Sequence, residues 1–133
     1  MKPEQFIREF GVDKAREVVE GAPEGATHYG LRQYRQWEGR ILKTFTDESW
    51  RSTAVFGGNL RFIEDDCLKV QDLKRLVQSV EIVELFESIE GAKDAYKNGL
   101  GFHSVLIGGY EIPIVRLGDA IKDHESIYGG GDE

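Results

Sequence analysis

The stretch LRQYRQWEGRILKTFT, residues 31–46, decides how the first half of the chain folds. Its mix of aromatic, aliphatic and long polar residues predicts two strands, 31–37 and 40–46, around a two-residue loop at Glu38 and Gly39. Tyr34 and Trp37 are an odd number of residues apart, so a regular strand sends them to opposite faces. Arg32, Arg35, Arg40, Lys43 and Arg51 are interleaved with Tyr34, Trp37, Phe45 and Trp50. That composition suits a sheet that binds single-stranded nucleic acid, with cations for phosphates and rings for bases. Glu38, Asp47 and Glu48 reduce the local charge to +2 over residues 31–51. Some rings must also pack inward. A hairpin that covers a core and offers its charged side to a protein answers both points. Its partner-binding candidates are Arg35, Trp37, Arg40, Lys43 and Trp50, since arginine and tryptophan are enriched at interface hot spots.

Outward from the hairpin, the N-terminal side reads as short helices. Pro3 suits the first turn of PEQFIREF, which carries Phe6, Ile7 and Phe10 on one side and stops at Gly11. Asp13 is placed to cap a second helix, DKAREVVE, ending at Gly21; APEG is a turn and ATHYG an extended lead-in. On the C-terminal side, TFTD at residues 44–47 has the spacing of a capping box and predicts a turn of helix through Ser49 and Trp50. STAVF, GGN and LRFI read as a second hairpin.

The second half is dominated by a helix from Gln71 to about Ser88, in which Leu73, Leu76, Val77 and Val80 follow i, i+3, i+4, i+7. Ile82, Leu85, Phe86 and Ile89 repeat that spacing half a turn out of phase, so the apolar stripe changes sides near Glu81. Its second flank needs cover, from the later hairpin and helix of the same chain or from a homodimer or partner contact through residues 82–89, with Leu85 and Phe86 as contact candidates. GAKDAYKNG is a short helical piece. HSVLIGGYEIPI is a hairpin whose Gly108 and Gly109 supply a primed turn and whose Pro113 ends a strand. A last helix, about 115–128, places Leu117, Ala120, Ile121, His124 and Tyr128 on one face. Gly118 within it suggests close packing. GGGDE reads as a frayed tail.

The expected class is therefore α+β: N-terminal short helices plus antiparallel hairpins, then an ααββα unit. The expected division is 1–66, 67–129 and a tail at 130–133, with one shared core as the alternative. The chain has 133 residues, 40% of them hydrophobic, and no apolar run reaches the roughly 18 residues of a membrane span. One cysteine, Cys67, cannot form an internal disulfide, and a reducing cytoplasm fits. Charge is uneven: residues 1–63 carry ten Lys and Arg against nine Asp and Glu, whereas residues 64–133 carry seven against fifteen. The acidic half repels phosphate backbones; it is either a solvated face that aids solubility or a surface that attracts a basic partner.

Signs of catalysis are sparse. His28, His103 and His124 lie far apart, and none has ligand spacing with Cys67. His124 on an apolar face reads as a packed histidine, and Cys67 without a neighbouring cation reads as a core residue. Glu64, Asp65 and Asp66 are a dense carboxylate run without EF-hand spacing, better suited to a solvated loop and helix entry than to a cation site. The paired glycines are turns, with no phosphate loop or dinucleotide fingerprint around them. No metal, cofactor or catalytic residue is expected.

GAPEGATHYG at residues 21–30, with DLKRLVQSVEIVE and AIKDHESIYG in the second half, resembles segments of small accessory proteins encoded by temperate phages of enterobacteria. That resemblance implies a phage-encoded product in the cytoplasm of its bacterial host, binding a host protein such as a nuclease or a defence complex, and it transfers no catalytic residue. Three functions stay open: a non-enzymatic protein-binding inhibitor or adaptor, a nucleic-acid accessory protein acting through Arg32, Arg35, Arg40 and Lys43, and an enzyme with a site near Cys67, His103 or residues 64–66.

Overall fold

The computed structural model describes residues 1–54 and 58–129. Among them the order is α1 (Pro3–Phe10), α2 (Val12–Glu20), β1 (His28–Gly30), β2 (Gln33–Glu38), β3 (Ile41–Thr46), β4 (Ser49–Ser52), α3 (Asn59–Asp66), β5 (Leu68–Lys69), α4 (Val70–Leu85), α5 (Ile89–Gly99), β6 (Ser104–Ile107), β7 (Tyr110–Pro113) and α6 (Ile114–Tyr128). This is the expected α+β class, with helices before hairpins and an ααββα order in the second half. Two units divide within α4, after Lys74. No helix of the described residues is long and apolar enough to cross a membrane.

In the first unit, α1 starts with Pro3 in its first turn and stops at Gly11, whose φ of 92° only glycine adopts cheaply. Asp13 does not cap α2; Gly11 holds the cap position, and Asp13 sits in the first turn, ion-paired to Arg16 at 2.7 Å. The sheet is a meander extended by β5, in the order β4-β3-β2-β1-β5. Its three tight turns depart from the sequence expectation. Pairing of Gly30 with Gln33, Glu38 with Ile41 and Thr46 with Ser49 leaves two-residue loops at Leu31–Arg32, Gly39–Arg40 and Asp47–Glu48. All six loop residues have positive φ, as primed turns require. Leu31 and Arg32 are thus a turn rather than the start of a strand, and the central loop is shifted one residue from Glu38–Gly39.

Two further expectations are overturned. The capping-box spacing at residues 44–47 starts no helix, because Phe45 and Thr46 pair with Trp50 and Ser49 across the last turn. LRFI is helical, not extended: α3 buries Phe62 and Ile63 side by side while Arg61, Glu64, Asp65 and Asp66 stay exposed. A strand would have put Phe62 and Ile63 on opposite faces. Of the expected second hairpin, Val55, Phe56 and Gly57 lie outside the described residues, as do residues 130–133 of the expected tail.

Alternation then assigns the faces of the sheet. Arg35, Trp37, Leu42 and Thr44 share one face, where Leu42 and Trp37 pack with Phe62, Ile63 and Cys67. Tyr29, Tyr34, Gln36, Lys43, Phe45 and Trp50 share the other. There Phe6 of α1 meets Tyr29 edge-on, and the Tyr34 hydroxyl donates to the Val18 carbonyl of α2 at 2.6 Å. Gly30 is required by close approach: a Cβ there would lie 2.5 Å from Cys67 Sγ.

In the second unit, Val83, Ala92, Ile112, Leu117, Ala120 and Ile121 form the core. Along α4, which starts in the first unit, the buried positions are Val70, Leu73, Leu76, Val77, Ser79, Val80 and Val83. Val83 continues the first stripe, so the apolar face widens instead of changing sides at Glu81. Ile82, Leu85, Phe86 and Ile89 are half-buried against the core of their own unit, which supplies their cover from the same chain. The helix ends at Leu85, Glu87 takes a φ of 70°, and the Ser88 hydroxyl caps α5 by accepting from Gly91 N at 3.0 Å. Gly108 and Gly109 make the β6–β7 turn with φ of 54° and 84°. Gly118 lets Tyr96 approach, since a Cβ would sit 2.8 Å from its ring. Ser79, although buried, is satisfied: its hydroxyl donates to Asp123 at 2.6 Å and accepts from Arg116 at 3.1 Å.

Candidate functional site

Burial separates the residues expected to meet a partner. Arg35 is only 5% exposed. Its guanidinium donates to the Gly30 carbonyl, to Thr44 Oγ1 at 2.8 Å and to Gln33 Oε1, and it lies 4.9 Å over the Phe62 ring. Burial lowers its pKa from the ordinary guanidinium value, with the Cys67 sulfur opposing that shift. Arg35 is an interior cation that pins β2 to β3, not a contact for a partner. Trp37 is half-buried on the same face. Arg40 stands exposed at the second turn, and Lys43 is half-buried on the opposite face. Trp50 is half-buried there too, edge-on to Phe45, with its indole N–H on the Glu24 carbonyl at 3.1 Å. Leu85 and Phe86 pack within the second unit. The fold therefore disperses the expected basic aromatic surface: Arg32 and Arg40 stand at opposite ends of β2, roughly 20 Å apart by strand rise.

The groups considered for chemistry are likewise not assembled. The Cys67 thiol is buried, and burial pushes its pKa up to about 11, with Arg35 opposing. The protonated, poorly nucleophilic form prevails at neutral pH. His28 is buried, its Nδ1 lies 2.8 Å from Thr27 Oγ1, and burial followed by the Lys69 charge lowers its pKa. His103 is exposed in the second unit. Glu64, Asp65 and Asp66 form the last turn of α3 rather than a helix entry. Carboxylates at that end oppose the helix dipole, and the Met1 nitrogen donates to the Asp65 and Cys67 carbonyls at 2.9 and 3.2 Å. Among the described residues, no group of His, Cys, Asp and Glu is arranged to hold a metal ion.

What the fold does assemble is a cleft of about 760 Å³ in the first unit, between α1, the first turn of the meander and the end of α3. Phe6, Phe10, Tyr29, Leu31 and Leu68 give it apolar walls, and Lys14, Arg32, Asp65 and Asp66 are its charged lining residues. Phe6 and Leu68 form its buried floor, whereas Phe10 and Leu31 are exposed at its edge. Leu31 is 69% exposed and has a φ of 51°. A leucine in this region costs roughly 1–2 kcal/mol, and its side chain recovers little of that by burial. An apolar centre ringed by mixed charge is the composition of a protein-binding surface.

The sequence showed Phe10 as apolar and Arg32 as basic without bringing them together. Leu31–Arg32 carries no turn signature of the Asn-Gly kind, so nothing local identifies it as a displayed tip. Comparisons with protein-family models, curated proteins and solved structures give no match.

Proposed function

We propose that this chain is a non-enzymatic binding protein that docks a protein partner on the cleft of its first unit, with Leu31 and Phe10 as apolar anchors and Arg32, Lys14 and Asp66 as the polar rim. The observation that carries this reading is Leu31, a large apolar side chain held at positive φ and in water at the mouth of a cleft. Backbone strain of this kind concentrates where a chain binds something. The resemblance to temperate-phage accessory proteins supplies the setting: a host nuclease or defence complex is the proposed partner, and the bacterial cytoplasm the proposed compartment. Nucleic-acid binding through the hairpin is the weaker reading, because Arg35 is committed to the interior and Arg32 and Arg40 are separated by the length of β2.

Lys14 on the rim offers a direct test. Tagged full-length chain, treated with an amine-reactive crosslinker in enterobacterial lysate, should recover one host protein in stoichiometric amount, joined through Lys14 and retained after nuclease treatment. Recovery that nuclease treatment abolishes, or no partner joined through Lys14, would contradict the proposal.

A further inference from the structure

The second unit carries an outward face that its own core leaves uncovered. In the β6–β7 hairpin, Val105 pairs with Ile112 and Ile107 with Tyr110. Ile112 belongs to the core, and Val105 and Ile107 pack against it. Strand alternation sends the other pairs away from that core: Leu106 with Glu111, and Ser104 with Pro113. The Ile114 N–H donates to the His103 carbonyl at 3.0 Å, continuing the pairing one step beyond Ser104 and Pro113, and the exposed Phe102 and Val115 follow directly in sequence. Leu106, Phe102 and Val115 are 77%, 69% and 73% exposed.

At the turn end of this surface, paired with Leu106, stands one charge. The Glu111 carboxylate accepts from the Ser104 hydroxyl at 2.7 Å, which holds it in place across the two strands. Among the described residues it makes no ion pair with a Lys, Arg or His. Residues from Arg75 onward carry five Lys and Arg against eleven Asp and Glu, a net of -6. The surface is thus largely apolar, its one charge is a positioned carboxylate, and the net charge of the unit around it is negative.

We propose that this hairpin face is a second binding surface, which receives a cationic amphipathic protein segment: a Lys or Arg side chain on Glu111, with apolar neighbours on Leu106 and Pro113. Charge complementarity selects this occupant. A second copy of the chain would set Glu111 against Glu111 and add two fields of the same sign. Phosphate backbones and anionic lipid headgroups meet the same repulsion. A basic segment gains from both the field and the apolar surface. Together with the cleft of the first unit, this would give the chain one binding surface on each unit, as an adaptor requires.

The test uses the full chain and two synthetic helical peptides, one of leucine and lysine and one of leucine and glutamate. The lysine peptide should shift the amide resonances of residues 102–115, and its affinity should fall on the order of tenfold in Glu111→Gln and in Leu106→Ser. Both positions are exposed, so unchanged circular dichroism checks that the fold persists. Asp94→Asn, an exposed acid elsewhere in the unit, should change affinity by less than about twofold, and the amide resonances of residues 29–32 should not shift, which separates this surface from the cleft. Equal binding of the glutamate peptide, equal loss in Asp94→Asn, or shifts spread over the acidic helices would overturn the proposal. So would a dimer by light scattering that Leu106→Ser dissociates, which would give the face to a second copy.

Discussion

The meander of the first unit and the hairpin of the second both reverse the chain in two residues, with opposite materials. The β6–β7 turn uses Gly108 and Gly109, for which positive φ costs little. The β1–β2 turn uses Leu31 and Arg32, and the β3–β4 turn Asp47 and Glu48, all at positive φ. The glycine turn itself carries no backbone strain for the rest of the unit to offset. The meander sustains its strained turns because the flanking strands are locked together, in part by buried Arg35 bridging Gly30 and Thr44. Strain retained at a turn that also displays a leucine is the basis of the binding role proposed for the first unit.

The largest expected effect comes from removing that lock. Arg35→Ala removes the guanidinium donor from the Gly30 carbonyl and from the Thr44 hydroxyl, which keeps only its bond from the Thr53 hydroxyl at 2.9 Å, and it leaves a cavity under Phe62, so it should cost about 2–4 kcal/mol in urea unfolding. The buried polar group of the second unit offers the contrast. Ser79→Ala leaves Asp123 paired with Arg75 at 3.3 Å and should cost only about 1 kcal/mol. Equal costs would mean that the meander does not depend on its interior cation.

Substitutions at the turns should have opposite signs. Gly108→Ala places a Cβ at positive φ and should destabilise by about 1 kcal/mol, whereas Leu31→Gly relieves the same conflict and should stabilise by about 1 kcal/mol. Destabilisation by Leu31→Gly would show that the leucine earns its place by packing rather than by binding.

Proton linkage gives a smaller effect. Burial lowers the folded-state pKa of His28 in the first unit and of His124 in the second below the ordinary 6.5. The unfolded chain therefore binds more protons in the window below 6.5, so stability is full above that pH and declines as pH falls toward the folded values. The Tm should drop on acidification from pH 7.5 to 5.5, and His28→Gln should flatten the fall. A Tm that rises over this range would contradict both burial assignments. The smallest effect is kinetic: with its pKa near 11, Cys67 should be labelled by a thiol reagent far more slowly than in urea-unfolded chain.

The same contrast explains what the sequence disclosed. The second unit is legible because its signals are local: Val80 three and four residues after Val77 and Leu76, the paired glycines at 108 and 109, and Pro113 at a strand end. The first unit was legible in class but not in detail. Leu31–Arg32 carries no turn chemistry and Asp47–Glu48 only that of its aspartate, so the sequence pattern extends a strand through one and starts a helix beside the other. The pairing of Phe45 with Trp50 overrode the capping-box spacing, and α3 replaced a strand because only a helix buries Phe62 and Ile63 together. Two-residue β5 is too short to leave a pattern. Of the site, Trp37 and Tyr34 were rightly assigned to opposite faces by alternation. The burial of Arg35 was hidden because no carboxylate accompanies it, and the cleft was hidden because its walls come from residues as far apart as Phe6 and Leu68.

Leu31→Gly tests the central claim most directly when stability and partner recovery are measured on the same preparation. The expected result is a chain that unfolds at higher urea concentration than the wild type and no longer recovers the host protein crosslinked through Lys14. A more stable chain that recovers that protein undiminished would contradict a binding role for the strained turn.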